Sequence, residues 1–122
     1  MSEFNIPSNP TLAQIQQSLI TCSNNLAKVG KQVSEYKADV ALKETAYKRA
    51  LARAKVMYQD KKPSAMINAY AETESSVIEA QDELVQANSL FIIASGELDG
   101  WDAQFVALRK IVEIKKIERD NG

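Results

Sequence analysis

Gln59-Asp60-Lys61-Lys62-Pro63-Ser64 is the stretch on which the fold turns. It gathers polar and turn-forming residues between two long apolar repeats, and Pro63 biases Lys62 away from helical geometry. A turn is therefore expected over 60–63. Reading back from it, apolar residues recur at alternating spacings of three and four. They are Leu12, Ile15, Leu19, Cys22, Leu26, Val29, Val33, Tyr36 and Val40, then, after a miss at Lys43, Tyr47, Ala50, Ala54 and Met57. A repeat of about 3.5 residues marks a helix whose seam packs along another helix. Reading forward, the same spacing returns at Tyr70, Thr73, Val77, Ala80, Leu84, Ala87, Phe91, Ala94, Leu98, Trp101, Phe105, Leu108 and Val112.

The first helix has a start signal in Ser8-Asn9-Pro10-Thr11. Asn9 or Thr11 can cap it, Pro10 suits a first turn, and Thr11-x-x-Gln14 has the form of a capping box. Ser64 is the expected cap of the second helix. The expected organisation is a flexible tail over 1–9, a helix over 10–59, the turn over 60–63, a helix over 64–119 and a tail over 120–122. Gly30 inside the first helix is tolerated or marks a slight bend. Gly96 and Gly100 raise an alternative, a three-helix arrangement with a break near 96–100, although Leu98 and Trp101 keep the register across them.

A short connection makes two long helices antiparallel neighbours, and pairing outward from the turn matches residues whose numbers sum to about 124. Ala54 then faces Tyr70, Tyr47 faces Val77, and Cys22 faces Trp101. The fold class is all-α, a long antiparallel helical hairpin resembling a coiled coil. Apolar positions off the seam, Ile20, Ile92, Ile93, Ile111, Ile114 and Ile117, widen the stripe and predict an interface for a protein partner or for dimerisation into a helical bundle.

Composition narrows the function. The 122 residues hold 45% hydrophobic and 25% charged side chains, the make-up of one folded domain, and only four Gly and three Pro, too few for a turn-rich β fold. The longest apolar run, Leu90 to Ala94, is far below the roughly 18–20 residues of a membrane span, and Met1 to Asn9 lacks the form of a signal peptide, so a cytoplasmic setting is expected. With no histidine and Cys22 as the sole cysteine, no intrachain disulfide can form, and the usual zinc sites and histidine acid–base chemistry are excluded. No nucleophile, base and orienting group come together in the pattern, so neither an enzyme, nor a cofactor, nor a small-molecule substrate is expected. Cys22 and Trp101 read as core.

The net charge is −1, but its parts are segregated. Eight basic residues between 37 and 62 oppose Asp39, Glu44 and Asp60, whereas all eight charges between 63 and 108 are acidic. One reading is salt bridging between the arms. A second makes Lys48, Arg49, Arg53 and Lys55 a phosphate-contacting edge, with Tyr47 and Tyr58 available to stack on unpaired bases. A third makes Glu72, Glu79, Asp82 and Glu83 a mimic of DNA phosphates.

The run Tyr36-Lys37-Ala38-Asp39-Val40-Ala41-Leu42-Lys43-Glu44-Thr45-Ala46-Tyr47-Lys48-Arg49-Ala50-Leu51-Ala52-Arg53-Ala54 resembles the first-helix core of small helical bacteriophage and prophage proteins found among replication and recombination genes. Ala80-Gln81-Asp82-Glu83-Leu84 through Leu98 is similar to their second helix, while Gly96 and Gly100 depart from it. The resemblance implies a phage setting, the bacterial host cytoplasm, and an accessory or adaptor role by protein binding in DNA replication or recombination. Inhibition of a host nuclease or defence complex and direct binding of single-stranded nucleic acid stand beside it.

Overall fold

The computed structural model describes residues 10–121, with side chains described through Arg119. The tail expected over 1–9 and residue 122 lie outside the described residues. The chain is an all-α helical hairpin: α1 (Leu12–Tyr58), a 3₁₀ turn (Ser64–Met66), α2 (Ile67–Glu72) and α3 (Ser75–Asn121), with no strand among the described residues. α3 thus reaches into the stretch expected as a C-terminal tail.

α1 starts at the expected box. The Thr11 N–H donates to Gln14 Oε1 at 2.8 Å, and the Gln14 N–H donates back to Thr11 Oγ1 at 3.2 Å. These reciprocal bonds satisfy amides that the first helical turn leaves unpaired. α1 then runs unbroken through Gly30, where an added Cβ would meet only Leu98 Cδ1 at 4.0 Å. At its other end the N–H groups of Lys61 and Lys62 both donate to the Tyr58 carbonyl at 3.1 Å. Pro63, at φ −58° and ψ 143°, carries the chain out of the helix.

The second arm differs from the single helix expected over 64–119. Ser64 caps nothing and instead opens the 3₁₀ turn, in which the Met66 N–H donates to the Pro63 carbonyl at 2.8 Å. The helix is then interrupted at Thr73-Glu74. The Thr73 hydroxyl donates to the Tyr70 carbonyl at 2.7 Å and the Thr73 N–H to the same oxygen at 3.1 Å, while the Glu74 N–H takes the Ala71 carbonyl at 3.2 Å. Bonds to the third residue back have replaced the α-helical ladder. Thr and Ser side chains compete for backbone groups in this way, and Thr73-Glu74-Ser75-Ser76 concentrates them. The glycines cause no break: α3 is continuous through Gly96 and Gly100.

The chain packs as two units. One comprises the α1 residues up to Val33 and the α3 residues from Ala94 onward. Its core is Ile15, Cys22 and Val29 against Trp101 and Leu108, flanked by Leu19, Leu26, Val33, Leu98, Phe105, Ile111 and Val112. The heptad spacing of the buried residues on both segments is the seam read from the sequence. Cys22 Sγ donates to the Trp101 carbonyl at 3.2 Å, the pairing that an antiparallel count from the turn requires.

The other unit comprises Ser34–Ile93. Its core is Ala50, Ala54, Ala71 and Val77, with Tyr47, Leu51 and Ala80 packed against it. Small residues let backbones approach closely, since interaxial distance follows the side chains at the contact. The seam near the turn departs from the expected register. Ala71 is buried and Thr73 exposed, and Met57 is 53% exposed while Tyr58 turns inward. Because α2 lasts only six residues before the break, the periodicity of α3 cannot be extrapolated through it. Tyr58 instead packs on Tyr70, ring centroids 5.6 Å apart, and its hydroxyl donates to the Glu74 carboxylate. Lys62 Nζ sits 4.4 Å above the Tyr70 ring.

Candidate protein-binding groove

In the unit built from 12–33 and 94–121, the two helical segments leave a groove of about 540 Å³ along one side of their seam. Its apolar lining is Leu19, Ile20, Phe105 and Val112, and its polar lining is Ser23, Asn24, Arg109, Glu113 and Lys116. On α3 these fall at 105, 109, 112, 113 and 116, one helical face beside the buried row of Trp101 and Leu108. The Arg109 guanidinium lies 6.0 Å from the Phe105 ring centroid, and Arg109 is exposed, so its charge sits at the rim. Two antiparallel segments can cover only one face of each other, and the groove is the apolar margin they leave.

The isoleucines expected to form one interface are dispersed. Ile20 lines the groove and is 55% exposed. Ile111 packs against the core of the same unit, half-buried. Ile114, 55% exposed, lies about 100–160° round α3 from Arg109, Glu113 and Lys116. Ile117 is exposed on the side away from the core. Ile92 and Ile93, both exposed, belong to the other unit. Leu19, Phe105, Val112 and the groove's polar residues were not singled out as a site, because periodicity assigns Leu19, Phe105 and Val112 to the seam without saying which side of it stays open.

The basic residues do not make one edge. Lys48, Arg49, Arg53 and Lys55 are all exposed. At about 100° per residue, Lys48 and Lys55 share one stripe of α1 and Arg49 and Arg53 another, the two separated by about 100–160°. Arg53 Nε donates to the Arg49 carbonyl at 3.4 Å. The tyrosines available for base stacking are engaged: Tyr47 in the core of its unit, and Tyr58 with Glu74. The hydrogen bond to the Glu74 carboxylate, then burial, holds the Tyr58 phenol above its ordinary range.

Of the acidic residues, Glu72 lies at the end of α2, where it accepts from Asn68 Nδ2 at 3.3 Å. Glu79, Asp82 and Glu83 share a face of α3 and are exposed. Glu83 Oε2 lies 3.9 Å from Lys43 Nζ, an ion pair between the arms with side chains 35% and 50% exposed, worth a few tenths of a kcal/mol at about that exposure. Lys43, the miss in the apolar seam, therefore has a partner across it.

Among the described residues, no group of three or more metal-ligating side chains comes together, and no helix is long and apolar enough to cross a membrane. Cys22 is buried, and burial followed by the nearby Asp102 carboxylate raises its thiol above the usual range. No protein-family model, curated protein or solved structure matches the chain.

Proposed function

We propose that this chain is a non-enzymatic accessory protein that acts by binding a protein partner, whose helix lies in the groove of Leu19, Ile20, Phe105 and Val112. The observation that carries the reading is the groove itself: an open apolar channel between two helical segments, rimmed by Arg109, Glu113 and Lys116. Helix-in-groove recognition uses such a floor for apolar anchors at helical spacing and the rim for orientation. The sequence resemblance to phage helical proteins supports a setting in DNA replication or recombination in the bacterial cytoplasm. The test is affinity capture from phage-infected cells with the wild-type chain and with Ile20→Asp and Lys116→Glu, each checked for unchanged helicity. A specific replication or recombination protein retained by the wild type and lost by both variants supports the reading. Equal retention by all three overturns it.

A second reading, inhibition of a host nuclease or defence complex, is favoured by the solvent-facing carboxylates of Glu79 and Asp82. It requires competition with DNA for that complex and loss of the effect on replacing Glu79, Asp82 and Glu83 with the corresponding amides.

A further inference from the structure

Val106, Lys110, Glu113 and Ile117 form a stripe on α3 that meets the groove only at Glu113, a residue of its rim. At about 100° per residue they fall within about 60° of one another, on the face opposite Leu108 and Trp101, which are buried in the core of their unit. Val106 is 44% and Ile117 59% exposed. Among the described residues, neither Lys110 nor Glu113 has an ion-pair partner. A concavity of about 190 Å³ is lined by Val106, Arg109, Lys110 and Glu113. Residues at i, i+3, i+4 and i+7 are the four that form the hole receiving a side chain from a facing helix. Val106, Arg109, Lys110 and Glu113, around the concavity, have that spacing.

The stripe's charge and apolar pattern is self-complementary when reversed. Laid antiparallel on a second copy about a two-fold axis between positions 111 and 112, Val106 meets Ile117 of the other copy and Lys110 meets Glu113. Each pair occurs twice. A two-fold interface demands this reciprocity, because one patch must serve as both partners. A parallel arrangement in register would set Lys110 on Lys110 and Glu113 on Glu113. We infer that α3 carries an isologous, antiparallel dimerisation stripe whose occupant is a second copy of this chain. The stripe spans eleven residue steps, about 17 Å of helix, so the contact is small and the dimer weak and concentration-dependent. The inference does not rest on the groove reading, which concerns an adjoining face and a different protein; the two faces share Arg109 and Glu113, whereas Val106 and Lys110 lie outside the groove.

The test is sedimentation equilibrium of the full chain from low micromolar to millimolar concentration, with helicity checked by circular dichroism. The wild type is expected to pass from monomer to dimer. Lys110→Glu and Glu113→Lys, each of which sets like charges opposite, are expected to weaken association by at least about tenfold. The double variant restores both opposite-charge pairs in reversed polarity and is expected to regain most of the loss. Val106→Asp, which leaves the charge pairs in place, is expected to weaken association on its own. A wild type that stays monomeric throughout, single variants that dimerise like the wild type, or a folded double variant no better than the singles would each overturn the proposal. In the monomeric case the face is left to another protein.

Discussion

Cys22 and Trp101 are joined across the hairpin by a bond from the Cys22 thiol to the Trp101 carbonyl at 3.2 Å, with Cys22 fully buried and Trp101 8% exposed. The smallest side chain of this core faces the largest, and the carbonyl already belongs to the α3 ladder. Trp101→Ala is therefore expected to cost about 3–5 kcal/mol through the cavity it leaves. Cys22→Leu is expected to cost about 1–3 kcal/mol by overpacking against the indole. Urea unfolding followed by circular dichroism measures both.

Gly30, Gly96 and Gly100 hold no backbone geometry that requires glycine, since none has a positive φ. An added methyl meets Leu98 at ordinary contact distance at position 30 and nothing within 4 Å at 96 or 100. Each Gly→Ala substitution is expected to stabilise the protein by about 0.5–1 kcal/mol, seen as a higher urea midpoint at unchanged slope.

Tyr58 and Glu74 tie the end of α1 to the break before α3. The raised phenol is stabilised in its protonated form, so its contribution is fully present below the unfolded-state value of about 10 and is lost as pH rises through the folded value. The wild type is expected to exceed Tyr58→Phe in thermal midpoint by a constant margin from pH 7 to 9, and that margin is expected to shrink above pH 10. A margin that persists undiminished at pH 11 would contradict the assignment.

Lys48 and Lys55 on one stripe and Arg49 and Arg53 on another offer nucleic acid two short rows of charge instead of one continuous groove. Fluorescence anisotropy with labelled single-stranded DNA is expected to show only weak, non-saturating binding that disappears near 0.15 M salt, where charges farther apart than about 8 Å are screened. Saturable binding that survives at that salt and falls when these four residues are neutralised would return the chain to the nucleic-acid binders.

The helical class, the two arms, the turn at Pro63, the capping box at Thr11 and the pairing of Cys22 with Trp101 follow from the sequence by itself. Each rests on local chemistry or on a periodicity that one long helix preserves from end to end. The interruption at Thr73-Glu74 was not read from the sequence, which placed Thr73 in the seam of one helix, because whether such hydroxyls bond solvent or the helix backbone depends on what packs around them. Register was lost there, and with it the inward positions of Ala71 and Tyr58. The groove was decided only by tertiary structure. A seam repeat names the residues that face a partner helix, but the side on which Leu19, Ile20, Phe105 and Val112 stay open depends on how the two segments are rotated against each other. Packing of the whole side-chain set determines that rotation, and spacing along one chain does not encode it.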